Sequence, residues 1–443
     1  MNTKLLYIFS ILCLLLFSCK KDNEVSIGLS QDSIMDVPAA GGSYDIKVET
    51  SEKWVVKDGD RSWLYVAQYS KGTEQYIKID VTSNLSESDR NIEIEILSHN
   101  SRRVLDIHQK GNSAGVELKY RIPVVFHVLY HDAGNKDQNI EQHRIEKTLR
   151  EVNALYAQND INLEFYLANI DPWGNVMKEA GIDRIKWVSS AVNPVDFMQT
   201  AGKEYIHLLW DPNRYVNVMM YNFSIAEILG IATFPLTPEQ YPMDGMDIVE
   251  ATDLKFADLD NMRAVSINSS WYSMEDPNPL TPYVEKELMK RQTSIATTLA
   301  HELGHYFGLR HVFSEDPHNR CGDTDFCADT PSYDKFQKYD RFIAGVFSDA
   351  VYNPNFANEF DWKSLFERES CDGHRFTSRN IMDYSFCYMD KFTADQKRRI
   401  RHVLDYSPFI PGPKKGRKAT TRGISLKPVH IPHNIVICRL GDR

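Results

Sequence analysis

Beyond the first twenty residues, no segment of the chain is apolar enough to cross a membrane. No internal repeat is visible, and there is no excess of positive charge. Against 51 Lys and Arg stand 61 Asp and Glu, a net charge of −10, which argues against a nucleic-acid partner. The charge is uneven: residues 407–443 hold eight Lys/Arg and one Asp, net +7, so the rest carries −17. Cysteine is also scarce, seven in 443 residues, with none between Cys19 and Cys321. Aromatic content of 11% and charged content of 25% fit globular domains rather than disorder, and the length allows two or three of them.

The N-terminus has the pattern of a targeting segment. Lys4 gives a positive start, and Leu5 to Phe17 form an apolar run too short for a comfortable membrane span. It ends Leu16-Phe17-Ser18-Cys19, which resembles a bacterial lipobox. The expectation is a signal over 1–19, lipidation of Cys19, a tether over 20–29, and attachment to the outer membrane without spanning it. A plain secretory signal cut nearby is the alternative. Cys321, Cys327, Cys371 and Cys387 are an even number in an exported region, so two disulfides are expected, with three pairings open. Cys438 is left over, free or in a disordered tail.

Residues 30–111 read as an all-β module. Tyr44-Ile46-Val48, Ile77-Ile79-Val81 and Ile92-Ile94-Ile96 alternate apolar with polar, the period of half-buried strands. Gly41-Gly42, Asp58-Gly59 and Asn84 with Ser86 mark turns, and Trp54 and Trp63 can anchor a small core. Residues 112–116 are a linker. Next, Arg121 to Tyr130 reads as a buried strand, Ile140 to Tyr156 as a helix, and Ile161 to Leu167, Val216 to Tyr221 and Val265 to Ile267 as strands. Thr293 to Leu309 reads as a helix with Ile295, Leu299 and Leu303 as its inner stripe. This order predicts an α/β (α+β) region over 117–408, then a basic, flexible tail over 409–443.

Residues 301–311 read His-Glu-Leu-Gly-His-Tyr-Phe-Gly-Leu-Arg-His. Histidines four apart fall on one helical face, so His301 and His305 can grip one metal ion. Glu302 lies beside them without being a ligand. Gly308 permits the positive φ that breaks the helix and swings His311 back as a third ligand. Three protein ligands leave a fourth position open, the catalytic rather than the structural zinc arrangement. A surface helix with scattered histidines does not produce these fixed offsets.

The long motif belongs to the metzincin clan, whose members place a Met-turn under the zinc. Asn380-Ile-Met-Asp-Tyr384 supplies a candidate, and the combination resembles the pappalysin family of metalloendopeptidases. Further stretches agree: Ile122 to Tyr130, Asp171-Pro-Trp-Gly174, Ala180-Gly-Ile182, Trp210 to Val218, Leu229 to Pro235 and Phe392 to Gln396. Together they cover 117 to about 406. The resemblance implies a protein or peptide substrate, with Glu302 as general base and proton shuttle. It implies Tyr384 as oxyanion donor and Met382 as an apolar floor. Leu229 to Pro235 resembles an upper-rim strand, in which Gly230, Ile231, Ala232 and Thr233 pair with substrate main chain. Residues 321–331 resemble the family's calcium loop, with Asp323, Asp325, Asp329 and Thr330 as ligands, though a solvated acidic turn would look alike. The family pattern implies Cys321–Cys371 and Cys327–Cys387.

Two departures matter. Residues 332–370 form an aromatic-rich insertion, a candidate rim over the cleft. Members that cleave at Arg or Lys carry an acidic residue just before the last cysteine, where this chain has Phe386, so a preference for basic residues is not expected. The empty interval between Cys19 and Cys321 excludes a cysteine-switch prosegment. Residues 30–111, with the Trp pair, Arg90 and Gln109-x-Gly111, resemble the BACON module, an immunoglobulin-like sandwich. A spacer or adhesion platform is favoured there over a glycan site. Two functions thus compete: a tethered zinc endopeptidase, and a glycan-binding surface adhesin with a residual zinc fold.

Overall fold

The computed structural model describes residues 27–57, 63–99, 101–200, 202–250, 254–275, 294–352, 360–384, 386–415 and 431–439. The expected signal and Cys19 lie outside them.

The first eight strands are β1 (Gly28–Leu29), β2 (Ser33–Val37), β3 (Gly42–Glu49), β4 (Trp54–Lys57), β5 (Leu64–Lys71), β6 (Glu74–Val81), β7 (Arg90–Ser98) and β8 (Arg102–Gln109). They form two four-stranded sheets, ordered β1-β3-β6-β5 and β2-β8-β7-β4. The alternation seen in the sequence points Ile46, Val48, Ile77, Ile79, Ile94, Ile96, Leu105 and Ile107 into one shared core. At one end the Arg90 guanidinium lies 4.2 Å from the Trp63 ring centre, and its Nε donates to Gln109 Oε1 at 2.8 Å. The module touches the following region directly. Ser83 Oγ donates to Lys119 O at 3.1 Å, and Arg214 covers the Tyr65 ring at 4.2 Å.

The second region is built on a seven-stranded sheet. Its strands are β9 (Tyr120–Tyr130), β10 (Leu163–Leu167), β11 (Ile182–Lys186), β12 (Val216–Tyr221), β13 (Ile228–Thr233), β16 (Val265–Asn268) and β19 (Ile435–Arg439). Two small pairs lie apart, β14 (Leu236–Pro238) with β15 (Asp247–Val249) and β17 (Glu367–Glu369) with β18 (Arg375–Thr377). The main order is β10-β9-β12-β16-β13-β19, with β11 beside β10 on the same edge of β9. Strands β10, β11, β9, β12 and β16 run parallel, β13 runs antiparallel to β16, and β19 runs antiparallel to β13.

Parallel strands are buried on both faces, which is why β9 and β12 read as continuous apolar runs. One face carries Ile122, Val124, Phe126, Val218 and Met220 against helices α1 (Gln142–Ala157) and α2 (Ile295–Tyr306). The other carries Met219, Tyr221 and Ile231 against Phe197, Leu236 and Met262. Helix α1 presents Ile145, Leu149, Val152 and Tyr156 inward, each step one helical turn or nearly so.

The insertion at 332–370 holds α3 (Asp340–Tyr352) and a small core of Val346, Leu365 and Phe366, so it is a folded layer. One expectation needs correction. The tail is not uniformly flexible: Phe409 and Ile410 are buried, and residues 435–439 form the edge strand of the main sheet. Pro, Gly, Lys and Arg dominate the composition of 411–443 and mask the β-branched run Ile435-Val-Ile437. The α4 helix (Ala394–Tyr406) begins with a reciprocal capping box between Thr393 and Gln396, which fixes its start.

Leu149 is closed between α1 and the sheet. Leu149→Ala is expected to cost about 2–5 kcal/mol, read as a lower denaturant midpoint at unchanged slope.

Candidate metal centre and cleft

Helix α2 starts at Ser294, whose hydroxyl accepts from Thr297 N, and it is apolar enough to be buried almost all round. Its polar side chains therefore need partners. His301 Nδ1 donates to Ile381 O at 2.6 Å, and His305 Nδ1 donates to Leu309 O at 2.7 Å. The helix ends at Phe307, and Gly308 follows at φ +88°. A Cβ there would lie 2.2 Å from Met246 Cε, so both the backbone angle and the close approach require glycine. The reversed chain brings His311 back, and its Nδ1 meets Glu315 Oε1 at 3.0 Å.

A carbonyl oxygen only accepts, so each Nδ1 facing one carries the proton and the opposite Nε2 is a bare acceptor. The three Nε2 atoms converge: 3.0 Å between His301 and His305, 3.1 Å between His305 and His311, 3.2 Å between His301 and His311. Three buried acceptors in contact repel unless a cation lies among them. A tetrahedral zinc with bonds of about 2.0 Å has nitrogen–nitrogen edges of about 3.3 Å, close to the observed triangle. Burial and mutual repulsion push His301 down to about 3 and His305 well below the usual imidazole range, so both stay in the neutral, ligating form.

Glu302 is fully buried, and neither carboxylate oxygen has a hydrogen-bond partner. Burial lifts its carboxyl to about 8. Its head lies over Gly230 of β13, where a Cβ would come within 2.5 Å of Oε1. Strand β13 thus comes close to the carboxylate at a position without a Cβ.

The turn Asn380–Tyr384 lies beneath the histidines. Gly304 of α2 lets the Met382 sulfur approach to 2.4 Å of where a Cβ would sit. Met382 N donates to Asn380 Oδ1 at 2.9 Å, and Asn380 and Gln396 exchange side-chain bonds at 3.0 and 3.1 Å. Tyr384 stands 4.4 Å from His311, ring to ring. Buried Lys335 lies 5.6 Å from the Tyr384 ring and pairs with Asp340 at 2.9 Å.

The structure also places a group that the sequence reading set aside. Cys438 on β19 has its Sγ 3.8 Å from His311 Nε2, and it joins the three histidines as a buried set with ligand atoms all within 4.8 Å. Glu315 was missed as well. Its only sequence signal is a carboxylate four residues after His311, in a stretch whose conformation is set by tertiary packing.

Away from the centre, the candidates divide. Cys321 and Cys371 are bonded. Cys327 and Cys387 do not join: the Cys327 thiol faces Asp325 O at 3.5 Å, while the Cys387 sulfur sits between Ser378 and Asn380 O in the Met-turn loop. Local hydrogen bonding in two separate loops replaces that bridge. In the acidic loop, Asp325 accepts from Thr330 Oγ1 at 2.6 Å and Cys327 N at 3.1 Å, Asp323 from Phe326 N at 3.1 Å, and Asp329 from Asp395 N at 3.0 Å. Phe386 packs edge-on against Phe366, in the added layer.

Residues 246–405 match the Peptidase M43 family, described as pregnancy-associated plasma protein-A. An extracellular metalloprotease of Arthroderma benhamiae is 35% identical over 105 residues, 23% of this chain and 29% of that protein. One from Arthroderma otae is 36% identical over the same length and shares. The chain thus covers 29% of the length of these relatives. The solved structure of mature mirolysin from Tannerella forsythia, in complex with a cleaved peptide, is 23% identical with a TM-score of 0.40, covering 66% of this chain and 93% of that one. Residues 246–405 are accordingly a metallopeptidase-type domain, with the three histidines as its metal-competent group.

Because Glu315 holds the His311 ring, Glu315→Gln is expected to weaken zinc binding about tenfold, measured by competition with a chelating dye. His305→Ala should abolish stoichiometric zinc.

Proposed function

We propose that this chain is a zinc-dependent endopeptidase acting on extracellular proteins. The observation that carries the reading is the meeting of three bare imidazole nitrogens with a buried carboxylate that has no partner. His301, His305 and His311 hold zinc, which when bound polarises the scissile carbonyl and acidifies water. Glu302 accepts the proton of the attacking water and passes it to the departing amine. A zinc cation beside it would offset the burial and favour the carboxylate form that accepts a proton. The Tyr384 hydroxyl donates to the oxyanion, supported by its place beside His311. Met382 gives the histidines an apolar floor.

Gly230 to Thr233 align substrate main chain by strand addition along β13. Phe386, with no acidic neighbour before Cys387, favours apolar over basic side chains in the pocket it borders. The pappalysin-type metzincin assignment rests on the zinc motif, the Met-turn and the match over 246–405. Upstream, the two-sheet module acts as a BACON-like, immunoglobulin-type spacer behind a lipid at Cys19, on the outside of the cell envelope. No helix among the described residues is long and apolar enough to cross a membrane.

Calcium is assigned to Asp323, Asp325, Asp329 and Thr330. Burial, chiefly, and the nearby Asp323 raise Asp325 to about 7. In the metal-free chain that stability is present below the usual carboxylate range and lost as pH rises through about 7. A bound dication reverses the sign. Calcium should therefore raise the Tm more at pH 8 than at pH 5.5, and Asp325→Asn should remove the increment. Equal shifts at both pH values would rule the site out.

The activity is tested by casein hydrolysis with protein lacking residues 1–26, both with its C-terminus and ending at residue 430. Hydrolysis that is lost on chelation, falls about 10²–10⁴-fold in Glu302→Ala and about 10²–10³-fold in Tyr384→Phe supports the mechanism. Activity that survives Glu302→Ala, or none in either form with one zinc bound, would sink it. Tight glycan binding by the inactive protein would then favour the adhesin reading.

A further inference from the structure

The C-terminal strand lies where a substrate would. Residues 435–439 pair antiparallel with β13 in the register Thr233↔Ile435, Ala232↔Val436, Ile231↔Ile437, Gly230↔Cys438 and Ile228↔Arg439. These are the rim residues assigned to substrate. Cys438 stands opposite Gly230, the residue against which Glu302 packs. The Tyr384 hydroxyl donates to Ile437 O at 3.3 Å, so the proposed oxyanion donor already holds the main-chain carbonyl just before Cys438. The strand is anchored from behind. Phe234 N donates to Asn434 O at 2.8 Å, Arg263 to Pro432 O, and His433 Nε2 meets Met198 O at 2.9 Å. Ile431 and Cys438 are both buried.

The sulfur has a direction as well as a place. It lies 3.8 Å from His311 Nε2 and within 4.8 Å of the other two ligand nitrogens, against an edge of roughly 3.5 Å between sulfur and nitrogen in a tetrahedral zinc site with bonds of about 2.3 and 2.0 Å. The other group aimed into this space is Glu302, fully buried and without a hydrogen-bond partner. The buried sulfur thus shares one space with three converging imidazole nitrogens and a carboxylate.

We propose that Cys438 is the fourth protein ligand of the metal, and that residues 431–439 fill the cleft as an internal strand that keeps the peptidase latent. A fourth protein ligand closes the position that catalysis needs open. The segment before it carries Arg417, Lys418 and Arg422. Hydrolysis of one peptide bond after such a residue, consuming one water, by a trypsin-type peptidase would turn the strand into a separate short peptide. That removes the effective concentration that tethering provides, so the strand leaves and the position opens. The inference rests on the zinc-peptidase reading, and its first readout does not depend on activity.

Cobalt(II) in place of zinc reports on the ligands directly. The full chain is expected to show near-ultraviolet thiolate-to-cobalt absorption. Cys438→Ser should lose it while keeping one equivalent of metal. Mass-mapped alkylation of the native zinc protein, which needs no variant, should leave Cys438 unmodified until the metal is chelated or trypsin cuts between 416 and 430. Casein hydrolysis should then rise about 10²-fold on that cut. Identical cobalt spectra in wild type and variant, or prompt alkylation of Cys438 in the zinc-loaded chain, would overturn the proposal. A thiolate band that disappears on cutting with no hydrolysis gained would uphold Cys438 as ligand and sink the peptidase reading.

Discussion

Three imidazole nitrogens that face one another within 3.2 Å in a buried site form the most demanding local arrangement in this fold. Such acceptors separate unless each ring is held from behind. Each of the three rings is held by a different structural device. His301 depends on Ile381 O of the Met-turn, His305 on Leu309 O in the reversal after Gly308, and His311 on Glu315. The Met-turn in turn depends on the Asn380–Gln396 pair, which ties it to the capped start of α4. The positions of helix α4 and of the loop before it thus reach the centre through two hydrogen bonds rather than through contact with a ligand.

The sheet supplies the second constraint. Strands β9, β12 and β16 are buried on both faces, so the site cannot open among them. It forms beside β13, where the strand direction reverses and one edge turns toward the centre. The glycines that matter are explained by this crowding. Gly230 admits Glu302, Gly304 admits Met382, and Gly308 admits Met246. Only the last also needs its positive φ. Adding one methyl group at any of these positions therefore acts on a different wall of the same space.

What could be read from the sequence divides by range. The zinc motif was legible because its geometry is local: helical offsets of four and a glycine stop fix three ring positions within eleven residues. The turn at Asn380–Tyr384 was legible as a short motif, and the buried strands as long β-branched runs. Pairings decided across the chain were not. Cys438 lies 127 residues from His311 and reaches it through register with β13, which no local pattern encodes. The Cys327–Cys387 bridge failed for a related reason. Order along the chain constrains pairing only when the loops converge, and each of these thiols is satisfied within its own turn. Composition averaged over the tail likewise hid a strand of five residues.

That strand changes how the centre's chemistry is balanced. Three histidines and water make a catalytic arrangement, whereas three histidines and a thiolate make a closed one. The difference lies in one residue near the end of an edge strand, distant in sequence from the histidines but paired to β13 beside them. A five-residue strand has too few main-chain bonds to persist as a free peptide, so its occupancy depends on the tether through residues 416–430 and on the anchors at Pro432 to Asn434. The metal and the strand then stabilise each other. The thiolate strengthens metal binding, and the metal holds the strand against β13. Breaking either contact weakens the other, so an opening that begins with a cut in the tether is transmitted to a sulfur that solvent does not reach. The same edge of β13 cannot hold β19 and a substrate together, which makes the two mutually exclusive without any rearrangement of the three histidines.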